Sequence, residues 1–192
     1  MEPQVGEALG ASYRFEARLG AGAAGEVWEV VDVRDGTALA AKVLRREHAQ
    51  DADLVERFVR ERTVLARLRH PNVVGVRDLV VEGERLAIVM DLVRGGSLRD
   101  VLAVQGALPP MTAVALAATV LDALAAAHAV GTVHRDIKPD NVLLAGDLGD
   151  DPGAVVRVVD FGIARVIDER RRSTTAIIGT PEYMSPELVT LP

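Results

Sequence analysis

Cysteine is absent from the 192-residue chain, which excludes a disulfide framework, thiolate metal sites and cysteine nucleophiles. Lysine is nearly absent: there are twenty arginines but only two lysines, Lys42 and Lys138, and asparagine occurs only as Asn72 and Asn141. A basic surplus is missing too. The net charge is -6, whereas a nucleic-acid surface needs basic residues gathered on one face; Arg170-Arg171-Arg172, following Asp168 and Glu169, reads as a solvated loop. The four histidines, His48, His70, His128 and His134, have no ligand-like spacing, so no zinc site is expected. No apolar run reaches the ~20 residues of a membrane span. The most apolar stretch, Met111 to Leu121, stops at Asp122 and reads as a buried helix of a soluble protein. The first residues lack the basic start and apolar run of a signal peptide, so the expected compartment is the cytoplasm.

What is present suits one domain, or one and a half small ones, with 49% hydrophobic residues to fill a core. Arginine stands wherever the choice is free, so a lysine that persists suggests a need for a compact ammonium rather than a planar fork. Residues 1–12 read as a flexible tail. From Tyr13 to about Val33 β-formers dominate, Asp35-Gly36 signals a hairpin, and Thr37 to Leu44 reads as the next strand. Residues 52–69 read as a helix with Leu54, Phe58, Leu65 and Leu68 on one stripe. Glu61 falls on that stripe, and a carboxylate aimed at a core needs a partner. Val73–Val81 and Arg85–Met90 read as strands. Ser97 with Asp100 resembles a capping box opening a short helix, and a long Ala/Leu/Val helix covers about 111–130. Short strands follow at 142–144 and 155–159. The class is therefore α+β: a β-rich lobe with one helix over 13–90, a connector at 91–94, and a mainly helical lobe over 95–192.

Five motifs carry chemistry. Gly20-x-Gly22-x-x-Gly25-x-Val27 lets backbone approach phosphates and aim amide N–H groups at them. Alone it fits a phosphate lid, a dinucleotide fingerprint or a plain glycine turn. The strand-like Glu26 to Val31 disfavours the dinucleotide site, which needs a helix there, and no Gly-Lys-Ser/Thr follows to make a nucleoside-triphosphate P-loop. Leu39-Ala40-Ala41-Lys42 places a lone lysine in an apolar run; it either snorkels to solvent or pairs with Glu61, and Glu61's own position favours the pair. His134-Arg135-Asp136-Ile137-Lys138-Pro139-Asp140-Asn141, Asp160-Phe161-Gly162, and Gly179-Thr180-Pro181-Glu182-Tyr183-Met184-Ser185-Pro186-Glu187 complete the set.

In this order the five motifs resemble the signature set of the protein kinases, of the bacterial eukaryotic-like serine/threonine type, from about Tyr13 to Pro192. The resemblance implies a two-lobed kinase-like fold and transfer of the γ-phosphoryl group of ATP, with Mg²⁺, to Ser/Thr hydroxyls of protein substrates. That chemistry rests on positioning and charge neutralisation. It implies that Lys42, held by Glu61, grips the α- and β-phosphates. Asp136 would orient the acceptor hydroxyl and Lys138 would offset charge on the transferred group, while Asn141 and Asp160 would hold the metal. Gly20, Gly22 and Gly25 would cover the phosphates. Val27, Ala40 and Leu143 would sandwich adenine, with Met90 behind it and the backbone of Asp91 to Val93 along its edge. Leu65, Val76, His134 and Phe161 would form an apolar column. Thr174 and Thr175, with Ser173 weaker, are expected phosphorylation sites facing Arg135. A dimer for autophosphorylation is among the expected partners, and a nucleotide-binding regulatory module without turnover is the alternative function.

Three departures from the family pattern accompany the match. Ala24 replaces a bulky residue at the lid tip. The stretch between Leu144 and Val155 is long and reads as a hairpin-loop insertion without chemistry. The chain ends just after Glu187, short of the arginine that glutamate pairs with and of the last helices of the large lobe. The expectation is an incomplete lobe with the 111–130 helix uncovered on some sides, and a membrane tether after Pro192 stays open.

Overall fold

Alternation from Tyr13 to Leu19 and near-continuous apolar runs in Ala38–Leu44 and Arg85–Asp91 turn the first half of the chain into sheet. The computed structural model describes residues 3–22, 25–45, 68–149, 151–161 and 181–183, and two compact units emerge. The first comprises residues 1–66 and 74–92, the second 67–73 and 93–192.

In the first unit six antiparallel strands, β1 (Ala8–Leu9), β2 (Tyr13–Gly22), β3 (Gly25–Asp32), β4 (Ala38–Leu44), β5 (Val76–Glu82) and β6 (Arg85–Asp91), lie in the order β1-β2-β3-β4-β6-β5. The β3–β4 hairpin turns at Asp35-Gly36, where Gly36 has φ 77° and its N–H donates to the Asp32 carbonyl. Asp32 accepts from the Arg34 guanidinium and backbone N–H, which hold its carboxyl at about 2. One face buries Phe15, Trp28, Val30, Leu39, Ala41, Val43, Ala87 and Val89 as a single cluster, with the Phe15 and Trp28 rings edge to face at 5.4 Å.

The expected flexible tail over 1–12 is corrected for its described residues. β1 pairs with β2, Leu9 is fully buried in the same cluster, and Glu7 bonds Arg85 at 2.8 Å. One buried leucine and one ion pair anchor a segment whose composition alone reads as loose. The strand expected from Val73 starts at Val76 instead. Most of the helix expected over 52–69, with Glu61 and Leu65, lies outside the described residues; Leu68 and Arg69 are irregular.

The second unit takes residues 67–73, which the sequence reading had put with the sheet. Asn72 explains why: its side-chain amide donates to the Gly153 and Val156 carbonyls, and its own carbonyl accepts from the Val158 N–H. Here α1 (Leu98–Gln105) opens on the expected capping box, with Ser97 and Asp100 each accepting from the other's backbone, and ends at Gly106 with φ 75°. Helix α2 (Pro110–Ala129) starts with proline at its first position, where no N–H is needed. Strands β7 (Val142–Leu144) and β8 (Val156–Val158) pair antiparallel. Between them lies the expected hairpin-loop insertion, which carries one helical turn, α3 (Pro152–Val155), capped by Asp151.

Helix α2 is covered on one side only, in line with the expectation of a helix uncovered on some sides. Leu116, Ala123 and Ala127 are buried, while Met111, Val114 and Leu121 are exposed. By length and composition it could cross a membrane; within this unit its Asp122 bonds the His70 ring at 3.1 Å.

Candidate active site

In the first unit, register gathers the expected nucleotide residues on one face. Directly opposed residues of an antiparallel pair share a face. Gly20 pairs with Val27, Gly22 with Gly25, Val27 with Lys42, Lys42 with Ile88 and Ala40 with Met90. Gly20, Gly22, Gly25, Val27, Ala40, Lys42 and Met90 therefore occupy the face opposite the Phe15–Trp28 cluster. Not all three glycines are there for the same reason. A Cβ on Gly25 would come within 2.0 Å of the Val43 carbonyl, at φ 149°, so that position serves the packing of β3 on β4. Gly20 and Gly22 face open space, which leaves their backbone approachable. Asp91, at the end of β6, has its N–H committed to the Gly75 carbonyl and its carboxylate to Arg77. Val93 begins the second unit.

In the second unit the segment 134–141 is held from below by His134, which is buried. A carbonyl only accepts, so Nε2 donates to the Val159 carbonyl at 2.8 Å and Nδ1 accepts the Asp136 N–H at 3.3 Å. Both nitrogens are used by a neutral ring, and burial pushes its pKa below the ordinary histidine value. The Phe161 ring packs edge to face on it at 4.6 Å. Two of the four residues expected in the apolar column thus meet; Leu65 is outside the described residues and Val76 belongs to the first unit.

Above that anchor, Asp136 Oδ2 receives Lys138 Nζ at 2.8 Å and Asn141 Nδ2 at 3.1 Å; the same amide donates to the Asp136 carbonyl at 2.7 Å. Asn141 is buried, and its own carbonyl accepts from Val159 N–H. The amide's donors are committed to Asp136, so its Oδ1 is the atom a cation would use. Asp160 follows Val159 directly. Arg135 and Asp160 have φ 67° and 69°, the left-handed region that non-glycine residues seldom adopt and that clusters at functional sites. These carboxylate and amide oxygens form the donor type that Mg²⁺ prefers.

A sequence profile of the family described as Protein kinase domain matches residues 13–191. The chain belongs to that family. It is 52% identical to the serine/threonine-protein kinase PkaB of Streptomyces coelicolor, over 94% of this chain and 44% of that protein. It is 38% identical to the serine/threonine-protein kinase PknA of Mycobacterium tuberculosis, over 97% and 43%. The crystal structure of the Mycobacterium tuberculosis PknI kinase domain superposes with a TM-score of 0.70 at 34% identity, covering 85% of this chain and 64% of that one. The chain spans less than half the length of these curated relatives. Its architecture is that of a partial two-lobed protein kinase fold.

Several residues that shape this kinase domain had escaped the sequence reading. Gly95 belongs to none of the five motifs. A Cβ there would lie 1.5 Å from the Leu144 carbonyl, so glycine is what lets this segment close on β7, where Ser97 bridges to Leu143. Asn72 holds β8 and the insertion, and the scarcity of asparagine was its one signal. Arg99, Asp140 and Tyr183 form a cluster that no motif announces. Glu61, Gly162, Ser173, Thr174, Thr175 and Glu187 lie outside the described residues.

Proposed function

We propose that the full-length protein is a serine/threonine protein kinase, transferring the γ-phosphoryl group of ATP to Ser/Thr hydroxyls of protein substrates. The observation that carries this reading is the Asp136 carboxylate, with Lys138 and Asn141 on one oxygen and no hydrogen bond to the other among the described residues. Asp136 Oδ1 is then the oxygen that orients the acceptor hydroxyl and takes its proton. Lys138, beside it, offsets negative charge gathering on the transferred group. In the first unit Lys42, with Glu61 as its proposed partner, grips the nucleotide phosphates under the backbone of Gly20 and Gly22, and Val27, Ala40, Met90 and the strand end at Asp91 receive adenine; Val93 and Leu143 are the adenine candidates of the second unit. Asp160 and Asn141 Oδ1 hold Mg²⁺, which bridges phosphate oxygens and neutralises their charge. Thr174 and Thr175, with Ser173, are the autophosphorylation candidates, a second copy being the partner for that step. Use of ATP assigns the domain to the cytoplasm.

Two measurements on the purified full-length protein test this. Mg-ATP should raise its melting temperature, and γ-labelled ATP should label a generic protein substrate on serine or threonine. A thermal shift without transfer would indicate the regulatory nucleotide-binding module instead.

A further inference from the structure

Asp140 is the second of two carboxylates in the 134–141 segment, four residues after Asp136, and its side chain is 45% exposed. One of its oxygens is already paired with a cation: Arg99 Nε lies 3.1 Å from Oδ2. The same guanidinium donates through Nη2 to the Tyr183 hydroxyl at 3.2 Å and stands 5.7 Å over that ring. Three separate segments (α1, the 134–141 loop and the 181–183 turn) therefore meet at one cation. Arg99 is poorly placed for helix stability. It sits in the first turn of α1, where the helix dipole favours anions and where Asp100 already supplies one. Its contacts point across to the catalytic loop instead.

A peptide whose hydroxyl reaches Asp136 must run past the neighbouring side chains of that loop. Lys138 is turned to Asp136 and Asn141 is buried; Asp140 is the exposed acid among them. Left bare, it would attract Lys or Arg flanking the acceptor residue. Resting on the kinase reading above, we infer that Arg99 is a specificity-determining residue: it masks Asp140, so that the enzyme does not select basic residues beside the phosphorylated Ser or Thr.

The test uses the full-length kinase and two threonine peptides of matched length, one with neutral residues around the acceptor and one with arginines there. For the wild type, kcat/KM should favour neither peptide by more than about twofold. Arg99→Ala should shift the ratio toward the arginine peptide by about fivefold or more, the scale of one surface charge pair with good geometry. The shift should appear in KM for peptide, with KM for ATP unchanged, and Arg99→Ala/Asp140→Asn should return the ratio to the wild-type value. Asp140→Asn alone should leave the ratio where it is, a prediction that stands even where Arg99→Ala does not fold. A wild-type preference of tenfold or more for the arginine peptide would overturn the inference. So would an active Arg99→Ala with an unchanged ratio, or an Asp140→Asn that shifts it. A wild type that labels neither peptide nor any protein would instead remove the kinase reading underneath.

Discussion

The two units of this kinase domain are held together by different physics. The sheet of the first has one continuous apolar face, with Leu9, Phe15, Val30, Ala41, Ala87 and Val89 fully buried, and the residues proposed for the nucleotide site occupy the opposite face by register alone. The second unit buries less around its long helix and relies on polar contacts between distant segments: His134 to Val159, Asn72 to Gly153 and Val156, Asn141 to Asp136. Residues that form a sheet core can exchange for others of similar size. A buried polar group whose partner is removed loses its hydrogen bond and keeps its desolvation cost, ~1–3 kcal/mol. The catalytic loop is therefore expected to be sensitive residue by residue, and the sheet only in its packing.

The largest effect expected away from the loop is at Lys42. Lys42→Arg keeps the charge but not the compact ammonium, and transfer should fall by more than ~10²-fold while far-UV circular dichroism and the melting temperature stay near wild type. Transfer within a few fold of wild type would show that the first unit's site face is not what grips the phosphates.

Next comes a contrast inside the glycine run. Gly25→Ala forces a Cβ into the Val43 carbonyl at a positive φ, and should destabilise by ~2–4 kcal/mol in chemical denaturation. Gly20→Ala meets open space and should cost less than ~1 kcal/mol, its effect appearing in KM for ATP. Equal stability losses at the two positions would contradict the separation of packing from phosphate approach.

His134 gives a pH signature confined to the second unit. Its folded pKa lies below the unfolded value because burial penalises the cation. The unfolded chain then binds more protons, so this contribution is fully present above about 6.5 and is lost as pH falls through the lowered folded value. Hydrogen exchange at the amides of Asp136 and Val159 should speed up on acidification below that point more than exchange in β3 and β4. Uniform acceleration would remove His134 as the cause.

Helix α2 sets a buried position against an exposed one, where the smallest effect is expected. Leu116→Ala should cost ~2–5 kcal/mol, whereas Met111→Ala, on an exposed side chain, should stay within ~0.5 kcal/mol. A large loss at Met111 in the full-length protein would mean that another part of that protein covers this face.

What could be read from the sequence divides along the same line. Local signals were legible: the Ser97–Asp100 capping box, the Asp35-Gly36 hairpin, the strand that carries Lys42 in an apolar run. Contacts that join residues far apart in the chain were not. Gly95 looks like any glycine until the Leu144 carbonyl arrives against it from 49 residues away, and Asn72 looks like a loop residue until β8 is beside it. Leu9 sits in a short Gly/Ala-rich stretch with no periodicity, so only its place in the Phe15–Trp28 cluster reveals that the N-terminal segment is anchored. Among the site residues, Asp136, Lys138 and Asn141 were found through the family resemblance, and the structure brings them into contact. The Arg99–Asp140–Tyr183 cluster joins residues 41 and 84 positions apart, which no local pattern encodes.

The most direct test of the kinase reading compares wild type and Asp136→Asn, both full length, in the same two assays: thermal shift with Mg-ATP and transfer of labelled γ-phosphate to protein. Both proteins should show the same shift, and the variant should transfer ~10²–10⁴-fold more slowly, the span of a lost general base. Equal transfer by the two proteins, or none by the wild type, would contradict the assignment of Asp136 as the residue on which the chemistry turns.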